Sequence, residues 1–209
     1  MNPPVEKNIR VILFKPFAFV AGGQALLVGI AAILPAGLIA SLSRSHFDGV
    51  LDFHNGLARN FALWFYLSEG IIDWLCLAIS LLAIGRIFSR TPFRTIDLFG
   101  TQAMARWPSI LIAPAPAIPA FHRYTDYLLA SMKAGNTTAL HSNPSDAVVF
   151  GAVVVGILVL ICWMVALMYQ SYSISCNTRG GRSAWTFITG ILLAEVLSKF
   201  GMYALIKLA

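Results

Sequence analysis

The stretch FAFVAGGQALLVGIAAILPAGLIAS, Phe17–Ser41, contains no Asp, Glu, Lys or Arg. A helix needs about 20 apolar residues to cross a hydrocarbon core about 30 Å thick, and this run exceeds that. Ala147–Tyr172 is a second uncharged run of the same kind. Around them the chain of 209 residues is 58% hydrophobic and only 11% charged, whereas about a quarter of a soluble domain is charged. The expected class is an all-α integral membrane protein whose solvent is the bilayer. A signal-peptide core is only about 7–15 residues long, so the first run is expected to stay as an anchor.

Five spans are expected, roughly 17–41, 61–85, 95–121, 147–169 and 184–208, making one polytopic helical bundle over 1–209. Pro35 is expected to kink the first span. The third is expected to be broken, because Pro108, Pro114, Pro116 and Pro119 remove helical donors and clash with preceding carbonyls. It either crosses with a break or is re-entrant, and irregular backbone at that depth must be covered by protein or line a wet cavity. Ahead of the first span, Val5, Ile9, Ile12 and Leu13 fall near helical spacing with Lys7 and Arg10 between them. That pattern suits a short interfacial helix or a frayed terminus.

The net charge of +6 is not a nucleic-acid footprint, because the basic residues flank apolar segments rather than forming a dense run. With the N-terminus in the cytoplasm, nine basic residues fall inside (Lys7, Arg10, Lys15, Arg86, Arg90, Arg94, Arg106, Arg179, Arg182). Five fall outside (Arg44, Arg59, Arg123, Lys133, Lys207). The positive-inside rule then gives N-in, C-out. Cys76, Cys162 and Cys176 have neither metal-type spacing nor a disulfide framework.

Three tracts resemble bacterial members of the Yip1 family of multi-pass membrane proteins: ILFKPFAF (Ile12–Phe19), FDGVLDFH (Phe47–His54) and TPFRTIDLFGTQAMARWP (Thr91–Pro108). The resemblance covers most of the chain and implies five spans with a cytoplasmic head in a bacterial inner membrane. Eukaryotic relatives are associated with vesicle trafficking, small GTPases and membrane shaping. The resemblance supplies no catalytic residues, and the proline density after Trp107 exceeds what the family leads one to expect.

The loop after the first span reads HFDGVLDFH, with His46, Asp48, Asp52 and His54 arranged nearly as a palindrome. Nitrogen and oxygen ligands sit about 2.0–2.2 Å from a zinc-like ion. A straight strand would spread the four over about 26 Å, and a helix would scatter them around its axis. A hairpin turning on Gly49-Val50-Leu51 would set Asp48 opposite Asp52 and His46 opposite His54. Leu51, however, falls where a three-residue loop prefers a left-handed glycine. Two facing aspartates also repel unless a cation lies between them. The readings are a divalent-metal site, a solvated loop in which Asp48 and Asp52 cap backbone N–H groups, or a surface for a partner or headgroup.

Charges also fall inside the spans. Glu69 and Asp73 share one helix face, as do Glu195 and Lys199. A charge at the bilayer centre costs about 2.5–3.5 kcal/mol on insertion scales, so partners are expected: Glu195 with Lys199 inside one helix, or Lys199 with Asp73 or Glu69 across the bundle. Ser68, Ser80 and Ser198 are expected to bond between helices. The cluster is either structural or an ion or proton relay. Arg106, Trp107 and Pro108 read as an interface anchor at the headgroups. No phosphate-cradling glycine loop, H-E-x-x-H or G-x-S-x-G is present. The expected function is non-enzymatic: organising lipids of the bilayer, or binding protein partners or further copies of the chain, with no cofactor. The alternatives are a small transporter using the intramembrane carboxylates, and a metal-dependent membrane enzyme at His46–His54.

Overall fold

The computed structural model describes residues 9–55, 61–134 and 143–209. Val5, Lys7 and Arg59 lie outside them. The chain is almost wholly helical, with a single pair of two-residue strands among the described residues. Three helices are long and apolar enough to cross a membrane: α2 (Gly22–Ser43), α3 (Leu63–Phe88) and α7 (Pro144–Ser175). Ahead of them lie α1 (Ile9–Phe14) and a 3-10 turn, Pro16–Ala18.

The first long helix starts later than expected, at Gly22. Pro16 interrupts the chain with the 3-10 turn, and Gly22 itself has φ +58°, a conformation that costs a non-glycine residue about 1–2 kcal/mol. Pro35 does not end α2, which continues as one helix to Ser43. The helix stops at Arg44, in the left-handed conformation (φ 57°), and that reversal turns the chain back towards the bundle.

The segment expected as the third span consists of α4 (Thr95–Ala105), a turn through Arg106-Trp107-Pro108, α5 (Ser109–Ile112), a 3-10 turn over Ala115–Ala117, and α6 (Pro119–Ala134). The proline-bearing turns leave carbonyls without helical donors. One of them, Ala113 O, accepts from Ser43 Oγ at 2.6 Å and Ser45 Oγ at 3.0 Å. α6 is amphipathic and packs on α7 through Phe121, Tyr124 and Phe150. Arg123 reaches Asp146, at the start of α7, with two hydrogen bonds of 2.7 and 2.8 Å.

The last helix, α8 (Gly180–Leu208), runs along α3, and α2 packs between α3 and α4. The α2–α4 approach is close because two glycines lie in it. A Cβ on Gly29 would stand 2.4 Å from the Ala103 backbone, and one on Gly100 would stand 2.2 Å from Gly22 O. The main core joins Leu77 and Leu81 of α3, Leu98 and Ala105 of α4, Leu167, Met168 and Tyr172 of α7, and Phe187 and Ala194 of α8.

Candidate functional site

Strands β1 (Ser45–His46) and β2 (His54–Asn55) pair antiparallel, with His46 opposite His54. This is the register a turn at Gly49-Val50-Leu51 produces, despite Leu51. The tertiary surroundings override the local turn preference. Val50 is 1% exposed and belongs to the main core. Leu51 packs against the same core, and Phe47 and Phe53 join a second cluster with Tyr66, Ile112 and Ala113. The solvated-loop reading is therefore corrected: the hairpin is a plug, driven into the bundle by its four apolar side chains.

The bundle receives the plug with charged side chains. Glu69, 1% exposed, lies 2.8 Å from His46 Nδ1 through Oε1, and its Oε2 accepts the Phe47 N–H at 3.4 Å. The Glu195 carboxylate accepts the Leu51 N–H at 3.2 Å and fills the space beside Gly49, where a Cβ would stand 2.2 Å from Oε1. Arg106 donates to Val50 O at 3.4 Å and to Asp73 Oδ2 at 3.3 Å. The other Asp73 oxygen accepts from Ser198 Oγ. Lys199 Nζ reaches Asp48 Oδ2 at 3.2 Å and also bonds Asp52. Four elements, α3, the α4–α5 turn, α8 and the plug itself, thus close one polar network.

Several expected pairings change in consequence. Glu195 and Lys199 do not pair with each other in the helix: each reaches out to the plug instead, Glu195 to a backbone amide and Lys199 to the two aspartates. Lys199 does not answer Asp73 or Glu69, because Arg106 and His46 hold those acids. Nor, among the described residues, do Asp48 and Asp52 cap backbone groups; Phe47 N–H and Leu51 N–H are met by Glu69 and Glu195. Arg106, Trp107 and Pro108 do not face headgroups. Arg106 is 2% exposed, Trp107 stands edge-on to Trp163 with centroids 4.7 Å apart, and Pro108 is buried. The desolvated arginine is retained because a carboxylate and a carbonyl both meet it. Of the three serines, Ser198 bonds between helices, whereas Ser68 bonds back to Trp64 O within α3 and Ser80 Oγ is buried with no partner among the described residues.

Asp48, Asp52 and His54 bring one ligand atom each to within 4.8 Å of one another. His46 does not join them, because its Nδ1 is turned to Glu69 and its ring lies against Tyr66 (centroids 4.8 Å) and His54 (5.7 Å). The donor set suits a divalent cation in kind, but the Lys199 ammonium already bonds both aspartates. It is the cation that two facing aspartates require. Burial holds the His46 imidazole down to about 4 and also lowers His54, against the opposing pull of Asp48, so both rings are neutral near pH 7.

The sequence singled out each charge but missed what joins them: the apolar plug tip. The signal was present, since Phe47, Val50, Leu51 and Phe53 interleave with the polar residues of the palindrome, a density of large apolar groups that a solvated loop does not carry. Compared with family models, with curated proteins and with solved structures, the chain matches none.

Proposed function

We propose that this chain is a non-enzymatic multi-pass membrane protein of Yip1-like type, which organises lipids or binds protein partners or further copies of itself. The observation that carries the reading is the closed polar network. Glu69, Asp73, Arg106, Glu195 and Lys199, the charges of the bundle interior, all bond the plug or one another. Groups committed to fixing a loop act as structure, because moving Asp73, Arg106 or Glu69 leaves a desolvated partner behind.

In this reading the chain crosses five times. Helices α2, α3, α7 and α8 are four crossings, with the charges of α8 neutralised by the plug. The proline-broken run from α4 to the start of α6 is the other, with Ile112, Ala113, Ala115 and Pro116 of its irregular part buried against the bundle. The amino end is cytoplasmic and the plug is at the exterior end. The location is a bacterial inner membrane, as the resemblance in Ile12–Phe19, Phe47–His54 and Thr91–Pro108 implies.

The test is reconstitution into vesicles holding a pH-sensitive dye, together with affinity purification under mild detergent. The expected result is no flux above empty vesicles, with retained lipid or partner chains. Flux that disappears in Asp73→Asn while the variant stays folded would replace this reading with the second one, a proton path. A specific observation favours that alternative: polar groups run from the half-buried His54 through His46 and Glu69, and from Lys199 to the plug, towards fully buried Asp73.

A further inference from the structure

At the end of the bundle opposite the plug, α3 finishes and α8 begins around a cleft of about 370 Å³. Its walls are Phe88, Arg90, Asn177, Thr178, Arg179 and Arg182. Arg90 comes from the connector after α3, Arg179 from the connector that leads into α8, and Arg182 from the first turn of α8 itself. The connectors are fixed to each other: Ser89 Oγ donates to Cys176 O at 2.8 Å, and Asn177 Nδ2 donates to Thr91 Oγ1 at 3.1 Å. Folding therefore collects three like charges around one concavity and holds them there.

These arginines differ from their neighbours. Arg94 pairs with Asp97, and Arg86 bonds Thr95 and lies over Phe93. Among the described residues no carboxylate pairs with Arg90, Arg179 or Arg182; only Arg182 has an aromatic neighbour, Phe88, at 6.0 Å. Three cations thus line one cleft with no carboxylate partner among the described residues, an arrangement that suits an anion. The first turn of α8 adds to the positive field. It has no acidic residue and no side-chain cap at Arg179, and Gly180 and Gly181 leave open space where side chains would project. Thr178 and Ser183, which could cap it, bond each other at 2.9 Å instead.

We infer that the cleft between Arg90, Arg179 and Arg182 is a phosphate-binding site. Guanidinium forks match phosphate oxygens bidentately, and a helix start free of acids supplies backbone donors to the same charge. Exposed Phe88 (40%) offers an apolar wall beside the anion, as a ligand with a phosphate and an attached organic part needs. Such a phosphate comes either from an anionic lipid headgroup or from a soluble phosphate compound. The inference deepens the lipid-organising reading, and rests on it only for the cytoplasmic placement of the cleft.

The experiment uses the full chain in nanodiscs of phosphatidylcholine with and without phosphatidylglycerol, read by native mass spectrometry of retained lipid. Inorganic phosphate and pyrophosphate form a parallel calorimetric arm. A triple variant, Arg90→Gln, Arg179→Gln, Arg182→Gln, is compared with Lys207→Gln, which removes a charge at the far end of α8. The expected result is selective retention of phosphatidylglycerol, weakened about a hundredfold in the triple variant and unchanged in the control. Binding of pyrophosphate that the triple variant loses also supports the site, and assigns it to soluble phosphates. Equal lipid retention in wild type and triple variant, with no heat from either phosphate, overturns it. Should the triple variant fail to fold by circular dichroism, Arg179→Gln alone decides, with a loss of about fivefold expected. A single cysteine placed by Asn177→Cys in a background lacking Cys76, Cys162 and Cys176 reports the side of the membrane. Labelling from outside would refute the cytoplasmic placement while leaving phosphate binding to be judged by its own arm.

Discussion

The amide of Leu51 donates to the Glu195 carboxylate across 3.2 Å, joining residues 144 positions apart in the chain. A loop amide that would otherwise be desolvated finds its acceptor on the last helix, and the acid finds a donor without a full counter-charge. Replacing Glu195 by Leu leaves the Leu51 N–H unpaired, a loss of about 1–3 kcal/mol, whereas Glu195→Gln keeps an acceptor oxygen and loses less. Thermal unfolding in detergent, followed by circular dichroism, should rank them wild type, Gln, Leu. Equal stability of all three would show that the plug does not depend on this bond.

Asp73 and Arg106 are both almost fully buried. Arg106→Met strands the carboxylate and Asp73→Leu strands the guanidinium, each expected to cost about 3–5 kcal/mol. The double variant removes both charges and should recover a large part of either loss. A double-mutant cycle in denaturant reads the coupling; strict additivity would mean that the two side chains do not interact.

Lys199 holds the position a metal would take. The wild-type protein is expected to purify without stoichiometric zinc or manganese. Lys199→Ala should open Asp48, Asp52 and His54 to a divalent cation. Metal content by plasma emission, with and without added His54→Ala, checks this. Stoichiometric metal in the wild type would show that the ammonium does not occupy the site.

His46 resists protonation in the folded protein because it is buried, its pKa held at about 4 against an ordinary 6.5. The unfolded chain binds the proton more readily, so protons favour unfolding between those values. Stability should rise with pH from about 4 to 6.5 through this group and be flat in it above 6.5. Glu69, Asp48 and His54 face the same ring, so unfolding curves of His46→Gln and His54→Gln are needed beside the wild type. A wild-type profile unchanged in His46→Gln would assign the pH dependence to the neighbours.

The membrane-type helices were legible in the chain because an uncharged apolar run has few soluble solutions: α2, α3 and α7 each contain or closely overlap an expected span. Their ends were less legible. Pro16 and Gly22 moved the start of α2, and the third segment is divided into α4, α5 and α6 by the turn at Arg106-Trp107-Pro108 and the 3-10 turn over Ala115–Ala117. The candidate residues were legible as charges out of place. Their partners were not, since His46 with Glu69, Leu51 with Glu195 and Asp73 with Arg106 meet only after helices distant in sequence have packed.

By itself the sequence determined that this chain is helical and apolar enough for a bilayer, because hydrophobic run length and charge depletion are local properties. It also marked His46, Asp48, Asp52, Glu69, Asp73, Glu195 and Lys199 as charges or ligands needing partners, while it read Arg106 as a headgroup anchor. Only the tertiary structure decided who the partners are, and that HFDGVLDFH is a buried plug rather than a wet loop. Which donor meets which acceptor depends on how α3, α4 and α8 are arranged around Val50, and spacing along one chain carries no record of that arrangement.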